Sequence, residues 1–565
     1  MTEVERHACL MIDEMSITPG LDYDNSTKRI IGSPTIQPAS PVSRKSPLAT
    51  HALVFMLGGI SSRWKQTVAY HFTGASCNAK EVKDVCFEII KAAEKIGIKV
   101  DVMISDMGGN NQALWKACDI VCGKHSRLRN SCNHPCGGER QLFFMADTPH
   151  ILKNLRNHLT KGHTILIPDE FVHKYNLPTR EVSISAIKEL HEIDTENKLK
   201  LAPRLNERCL DPSHYDKMKL GLACRLLDHS VAAAIKYLVE QGDMEKEALT
   251  TAWFIEKVFR WFKLMTSRTT QFAMNGQGEE VHDDDIEFLQ EMISLFQHLA
   301  INSTRKTWKP VQSGLVLTTT TALKMQDLFL QDKHFKYLFL SRFTQDALEN
   351  LFSTVRAKNP VPRARDFKMA LRLITMSQFF RPSRSGSYDV DDSAYLAQFV
   401  ASQPAEAPSE EEDELPNWDQ YKTISDDEQQ SLFYLAGYTV RAVRKKHKLC
   451  ELCIAAVTGS AASQNARLCQ LKCYVRDGSN QELVMPSPDV FGLLLVAEGE
   501  FRKHEDLIIS SKKTLDDVHR STAALTKQLP LPKCHNLAQK LVEAFVLLRL
   551  RVTLKQKNEE WKKEL

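Results

Sequence analysis

Three apolar runs of strand length near the start of the chain read as strands that end in aspartates: Asp13 in ACLMIDEMSI, Asp106 in VDVMISD and Asp147 in QLFFMAD. This pattern demands a sheet. Side chains at the carboxyl ends of neighbouring strands converge on one sheet edge, where α/β proteins usually form their sites. Two further β-rich runs, HALVFMLGGI and KQTVAYHFTG, are separated by a polar stretch. Between the strands lie helical segments. AKEVKDVCFEIIKAAEKIG predicts a helix with Val82, Val85, Ile89, Ala92 and Ile96 on one face. NNQALWKACDI predicts another, and PHILKNLRNHL a third that can start at Pro149. Strands followed by alternating strand and helix indicate a mixed α/β domain.

The pattern then changes. From about 180 to 340 the strand signal disappears, and amphipathic runs such as LTTAWFIEKVFRWFKLM and DDIEFLQEMISLFQHLAI predict an all-helical block. SRFTQDALENLFSTVRAKNP is helical again and stops near Pro360. An acidic Ser/Pro stretch containing SEEEDE reads as a linker, and the tail returns to helix. The expected divisions are a first α/β part at 1–165, a helical insertion at 166–335 and closing helices at 336–381. A linker at 382–430 and a helical C-terminal region at 431–565 complete the chain.

Composition removes several classes. No run of 18 apolar residues exists, so no transmembrane helix is expected. MTEVERHACL lacks the apolar core of a secretory signal. The 14 cysteines then read as reduced thiols in cytosol or nucleus. A net charge of 74 − 70 = +4 is too small to demand a nucleic-acid partner, so basic surface must be local. The densest basic run is RAVRKKHK at 441–448, and Lys153, Arg156 and His158 form a second. Either suits phosphates, although charge runs on helices are more often solvated faces. Trp64, Trp115, Trp253 and Trp261 sit among apolar positions and are expected in the core.

An isolated strand-end aspartate is usually a cap or a solvated group. The order of the acids says more. Acids on two strands of a mixed sheet, with Glu349 on a later helix, make the layout that holds two divalent cations. Close carboxylates repel one another without such cations, so a site of this kind should require Mg²⁺ or Mn²⁺.

MIDEMSI, RWKQTVAYHFTG, VDVMISDMGGNNQALW, FFMADTPHILKNLRNH and SRFTQDALENLFSTVR occur in this order. Together they resemble the P-element transposases and their THAP-domain relatives, over most of the chain from about Glu3 to Leu554. The resemblance implies an RNase H-like mixed sheet, interrupted by a large all-helical insertion and followed by a helical C-terminal region. It implies cut-and-paste DNA cleavage and strand transfer in the nucleus, with Asp13, Asp106 and Glu349 as catalytic residues and ligands of Mg²⁺ or Mn²⁺. Because two DNA ends must be joined, it also implies a homo-oligomer. The separation 349 − 106 = 243 is too long for a plain RNase H-like fold, and the helical block fills it. Asp147 then reads as a support for the adjacent strand and helix.

In the family that insertion binds guanine nucleotide. No G-x-x-x-x-G-K-[ST] is present, so a P-loop is excluded. The resemblance implies nucleotide contacts at Arg204 in LAPRLNE and at Asp346 in TQDALEN. It also places Lys263 where the family has a nucleotide-contacting aspartate, and a cation cannot accept hydrogen bonds. The bland alternatives for Arg204 and Asp346 are an exposed charge and a helix N-terminal acid.

CELC puts Cys450 and Cys453 at zinc-knuckle spacing. Cys469 with Cys473 offers a second pair, and Cys534 with His535 follows later; the alternative is reduced, partly buried thiols. An upstream group, Cys118, Cys122, His125, Cys132, His134 and Cys136, reads as loop and packing residues. Animal relatives begin with a THAP zinc finger and a dimerising region, and Asp13 lies too near the start for either to be expected. Weak sequence-specific DNA binding follows. The competing reading is a catalytically inactive or host-adopted remnant that binds DNA, guanine nucleotide or a protein partner.

Overall fold

The computed structural model describes residues 1–24, 27–39, 48–275, 279–302, 308–357, 359–379, 424–460, 462–473, 483–508, 514–527 and 529–564. Most of the expected linker therefore lies outside the described residues. The chain divides into two compact units. The first comprises Met1–Ile184, Glu207–Leu227 and Trp253–Ser387; the second comprises Ser185–Asn206, Asp228–Ala252 and Tyr388–Leu565.

The first unit is built on a six-stranded mixed sheet. Its strands are β1 (His7–Ser16), β2 (His51–Gly59), β3 (Lys65–Thr73), β4 (Lys99–Ser105), β5 (Ser131–Asn133) and β6 (Gln141–Ala146). Their spatial order is β3-β2-β1-β4-β6-β5. β1 pairs antiparallel with β2 and parallel with β4, and β4 pairs parallel with β6. β1 reads as a continuous apolar run because it is covered on both faces: Ala8, Cys9, Leu10 and Ile12 are wholly buried. Helices α1 (Ala79–Lys95), α2 (Gly109–Ala117) and α3 (Thr148–Thr160) follow β3, β4 and β6.

Two local readings differ from the sequence expectation. The buried stripe of α1 is Val82, Cys86, Ile90 and Ala93, whereas Ile96 is 79% exposed. The stripes through Val85 and through Cys86 lie one residue apart. The sheet selected the one whose thiol had not been counted as apolar. Within the nominally all-helical block, Ala300–Asn302 forms a strand that pairs with Thr164–Leu166, which also pairs with Glu181–Val182. Runs of two or three residues are too short to show a period.

Helices α4 (Ala248–Met265), α5 (Glu279–His298) and α6 (Pro310–Gln326) come from this block, and α6 packs directly on the sheet. The Thr318 hydroxyl donates to the Ala146 carbonyl at 2.9 Å and accepts from its amide at 2.8 Å. Thr321 donates to the Phe144 carbonyl at 2.8 Å. These buried threonines satisfy the backbone where β6 runs out of strand partners. Gly314 lets α6 approach closely, since a Cβ there would stand 2.3 Å from the Met107 sulfur. The helix α7 (Asp346–Arg356) then returns to β1 and β2.

The second unit is helical. Its core gathers Leu199, Leu432, Val440, Leu494, Phe501, Leu541 and Phe545. Elements α8 (Asp426–Lys446), α9 (Glu451–Val457), α10 (Pro488–Ile508) and α11 (Leu537–Glu564) supply most of it. Ser425 and Glu428 form a reciprocal capping box at the start of α8. Glu498 and Arg549 make a buried ion pair, with side chains 0% and 1% exposed and atoms 2.6 Å apart. Among the described residues, no helix is long and apolar enough to cross a membrane.

Candidate active site

Asp13 does not end its strand. Antiparallel pairing with β2 carries β1 on to Ser16, whereas the parallel pairing with β4 stops at Met11↔Ile104. Asp13 thus lies just past the parallel ladder, and Asp106 follows the last residue of β4. Asp147 stands in the same position after β6 and caps α3. Three adjacent parallel strands therefore deliver acids to one sheet edge.

Each acid is held differently. Asp13 is 9% exposed, and one carboxylate oxygen accepts from the Glu14 amide at 2.8 Å. Burial pushes its carboxyl up to about 7; the positive side of His150 opposes this, while Asp106 and Asp147 add to it. Asp106 accepts from the Gly108 amide at 2.8 Å and from Asn111 at 2.5 Å. Asp147 is wholly buried and accepts from His150 Nδ1 at 2.7 Å, the His150 amide at 3.0 Å and the Gln345 amide at 2.7 Å. Burial alone would raise its carboxyl, but these hydrogen bonds outweigh burial and hold it below the usual range. In return, Asp147 lifts His150 above an ordinary histidine against the effect of burial.

Glu349 lies in the first turn of α7. It pairs with Lys153 Nζ at 3.2 Å and stands 3.8 Å from His150 Nε2. His150 thus links all four acids: it bonds Asp147, faces Glu349 and acts on Asp13, which in turn feels Asp106. The buried Gln345 side chain donates to the Ile12 carbonyl, locking the start of α7 to β1. His150 and Gln345 were not singled out in the sequence. Their signals were the spacing of three from Asp147 and the position just before an acid-rich helix turn.

Asp13, Asp106 and Glu349 do not close into a tight ligand set. Among the described residues, the one group of three or more metal-ligating side chains with all ligand atoms within 4.8 Å is elsewhere. Lys153 holds Glu349 in place of a cation. The donor chemistry still fits hard divalent ions: carboxylate oxygens at a sheet edge, one of them raised to about 7 by burial and neighbouring negative charge.

A pocket of about 370 Å³ adjoins α7. Arg63, Lys65, Arg268 and Arg342 line it together with Asp346 and Asn350. Trp64, expected in the core, lines this pocket half-buried and donates to the Glu5 carbonyl at 3.0 Å. The other three tryptophans are buried. Burial, Arg63 and Arg268 all pull the Arg342 guanidinium below its ordinary value, the mark of crowded cations.

The second basic group differs from expectation. Arg156 is wholly buried and donates to the Lys217 carbonyl at 2.9 Å, and Lys153 is engaged with Glu349. Burial, with His163 next, drives His158 down to about 4. This face of α3 is packing, not a phosphate surface. The run at 441–448 is mainly exposed.

Arg204 belongs to the second unit and Asp346 to the first. Arg204 is 73% exposed at its side chain and stands 3.9 Å from Asp228. Asp346 pairs with Arg268. Lys263 lies over the Phe259 ring at 5.3 Å.

The cysteines assort differently from the simplest pairing. Cys450 and Cys453 meet Cys534 and His535, with all ligand atoms within 4.8 Å of one another. Cys469 instead packs in a separate small cluster with Phe433 and Ala466. Upstream, Cys118, Cys132 and His134 are buried, and His134 Nε2 donates to the Val100 carbonyl at 3.0 Å.

A mixed sheet of this order, with acids beyond adjacent parallel strands and on a later helix, defines an RNase H-like domain. Residues 1–119 match the TNP-like RNase H N-terminal domain, 149–276 the TNP-like GTP-binding insertion domain, and 421–547 the C-terminal domain of DNA transposase THAP9. All three matches are to transposase domains, which makes the chain similar to the P-element-type transposases. The transposable element P transposase of Drosophila melanogaster is 22% identical over 470 residues, covering 80% of this chain and 57% of that protein. The human DNA transposase THAP9 is 22% identical over 365 residues, covering 63% and 39%. The chain thus spans well under two thirds of either curated relative. Among solved structures, the Drosophila P element transposase strand transfer complex matches with a TM-score of 0.55 and 20% identity, over 67% of this chain and 78% of that chain.

Proposed function

We propose that the chain is a metal-dependent DNA transposase that cleaves and joins phosphodiester strands. The observation that carries this reading is that Asp13 and Glu349 both face His150 while Asp106 acts on Asp13, where three parallel strands end. Asp13, Asp106 and Glu349 would hold Mg²⁺ or Mn²⁺. Such ions lower the pKa of an attacking water or 3′-hydroxyl and stabilise the leaving oxyanion. The protein's own part is positioning. Gly108 and Asn111 fix Asp106, while Asp147 orients His150 through its Nδ1 and leaves Nε2 toward Lys153 and Glu349. Gln345 secures α7 against β1. The pocket of Arg63, Lys65, Arg268 and Arg342 beside α7 suits the DNA backbone, where cations give affinity without base choice. Joining two DNA ends calls for at least a dimer, acting in the nucleus.

The match at 149–276 supports guanine-nucleotide binding by this chain, with Asp346 as a candidate contact in the first unit. For Asp346 to accept from a guanine edge, Arg268 must turn away.

The test is a nicking and strand-transfer assay with and without divalent cation, using Asp106→Ala beside the unaltered chain. Activity requires the metal and disappears in the variant. Equal activity in the variant overturns the reading. A second reading, a non-catalytic remnant that binds DNA, nucleotide or protein, is favoured by the Lys153–Glu349 pair occupying a would-be ligand. Strand transfer by the unaltered chain excludes it.

A further inference from the structure

The second unit brings together side chains from two distant stretches. Cys450 precedes α9 and Cys453 lies in its first turn, while Cys534 and His535 come just before α11. Cys453 and Cys534 stand 81 positions apart in sequence, yet their sulfurs are 3.2 Å apart. The sulfurs of Cys450 and Cys534 are 3.7 Å apart, and Cys453 Sγ lies 3.6 Å from His535 Nδ1.

Two of these separations, 3.7 and 3.6 Å, match the edges of one coordination sphere, while the 3.2 Å pair is closer than such an edge. With Zn–S near 2.3 Å and Zn–N near 2.0–2.1 Å, a tetrahedron has S···S edges of about 3.8 Å and S···N edges of about 3.6 Å. Three thiols and one imidazole complete the four-ligand set of a structural zinc site. A disulfide would need an S–S bond of about 2.05 Å and would leave the third thiol and the ring without a partner.

The backbone supplies an independent observation. Consecutive side chains in a regular helix or strand diverge, so neighbours such as Cys534 and His535 do not ordinarily face one point. Here His535 has φ 63° and Asn536 φ 48°, a left-handed kink at two residues that are not glycine. That conformation is unfavourable for L-residues and persists where the surroundings hold it. It brings the Cys534 sulfur and the His535 ring to the same place.

We propose that Cys450, Cys453, Cys534 and His535 bind a structural zinc ion that clips α9 to the start of α11. The ion would also fix the chain directly after the exposed basic run at 441–448. The site belongs to the second unit and the acidic cluster to the first, and neither reading depends on the other.

Zinc content of the full-length chain, purified without a metal-affinity tag and measured by plasma mass spectrometry, tests this directly. About one zinc per chain is expected. Cys534→Ser and His535→Ala should fall to background, while Cys136→Ser, an exposed cysteine outside the group, should keep the metal. His535→Cys should retain zinc, because thiolate is also a ligand. Cobalt(II) exchanged into the unaltered chain should give the charge-transfer and ligand-field bands of tetrahedral thiolate coordination, so the test survives if a variant fails to fold. The proposal is overturned if the unaltered chain is zinc-free and gives no such bands. Zinc retained equally in Cys534→Ser and His535→Ala also overturns it, as does a Cys453–Cys534 disulfide in non-reduced peptide mass spectra.

Discussion

Replacing Asp13 by Asn should stabilise the metal-free chain at neutral pH while removing its response to divalent cations. The magnitude follows from burial. An unfolded aspartate titrates near 3.8, whereas this carboxyl is pushed to about 7 by burial, with Asp106 and Asp147 adding to it. A difference of about three pH units is worth about 4 kcal/mol at roughly 1.4 kcal/mol per unit. Between about pH 4 and 7 the folded chain keeps a proton that the unfolded chain has released. Stability of the unaltered chain therefore falls as pH rises through this window, and the full penalty stands above about pH 7. Asparagine carries no charge and can still accept from the Glu14 amide. The advantage of Asp13→Asn should grow by about 2–3 kcal/mol between about pH 5 and 7.5, as the two titration curves diverge. Urea denaturation at a series of pH values reads this gap. Added Mg²⁺ or Mn²⁺ should then stabilise the unaltered chain and leave the variant unmoved. A difference independent of pH, or equal cation stabilisation of both proteins, refutes the reasoning.

Three further outcomes are expected. Mn²⁺ affinity of the unaltered chain, measured by calorimetry, should fall about tenfold per pH unit below about pH 7, because one proton at Asp13 must be displaced; a flat profile would exclude Asp13 as a ligand. Lys153→Met should tighten Mn²⁺ binding by freeing Glu349 from its cation, and weaker binding in that variant would instead give Lys153 a supporting role. Glu498→Ala should destabilise the second unit by about 3–5 kcal/mol, since it strands a buried arginine charge; a loss below about 1 kcal/mol in denaturant melts would mean that water reaches Arg549.

Much of the sheet was legible because both-face burial writes strands as unbroken apolar runs, and β1, β4 and β6 read that way. Asp106 and Asp147 were placed correctly after their strands. Asp13 was misread as terminal because the end of a strand depends on its neighbours, and β2 continues pairing after β4 has stopped. The roles of His150 and Gln345 were hidden for a similar reason. Each is defined by a partner on another element, Asp147 and Ile12, that local pattern does not reveal. The burial of Arg156 was equally illegible, because its carbonyl partners at 216 and 217 lie far along the chain. CELC was visible at once. That Cys534 with His535, rather than Cys469 with Cys473, would join it was not, since the chain closes that loop only in three dimensions.

The second unit draws on Ser185–Asn206, Asp228–Ala252 and Tyr388–Leu565. The early pieces are integral to it: Glu428 accepts from the amides of Lys198 and Leu199, and Lys472 donates to the Leu201 carbonyl at 2.6 Å. During synthesis, these two early segments must leave the ribosome long before the tail that covers them exists. They would meet chaperones with Leu199 still bare, and a clone starting at residue 421 would make a tail missing part of its own interior.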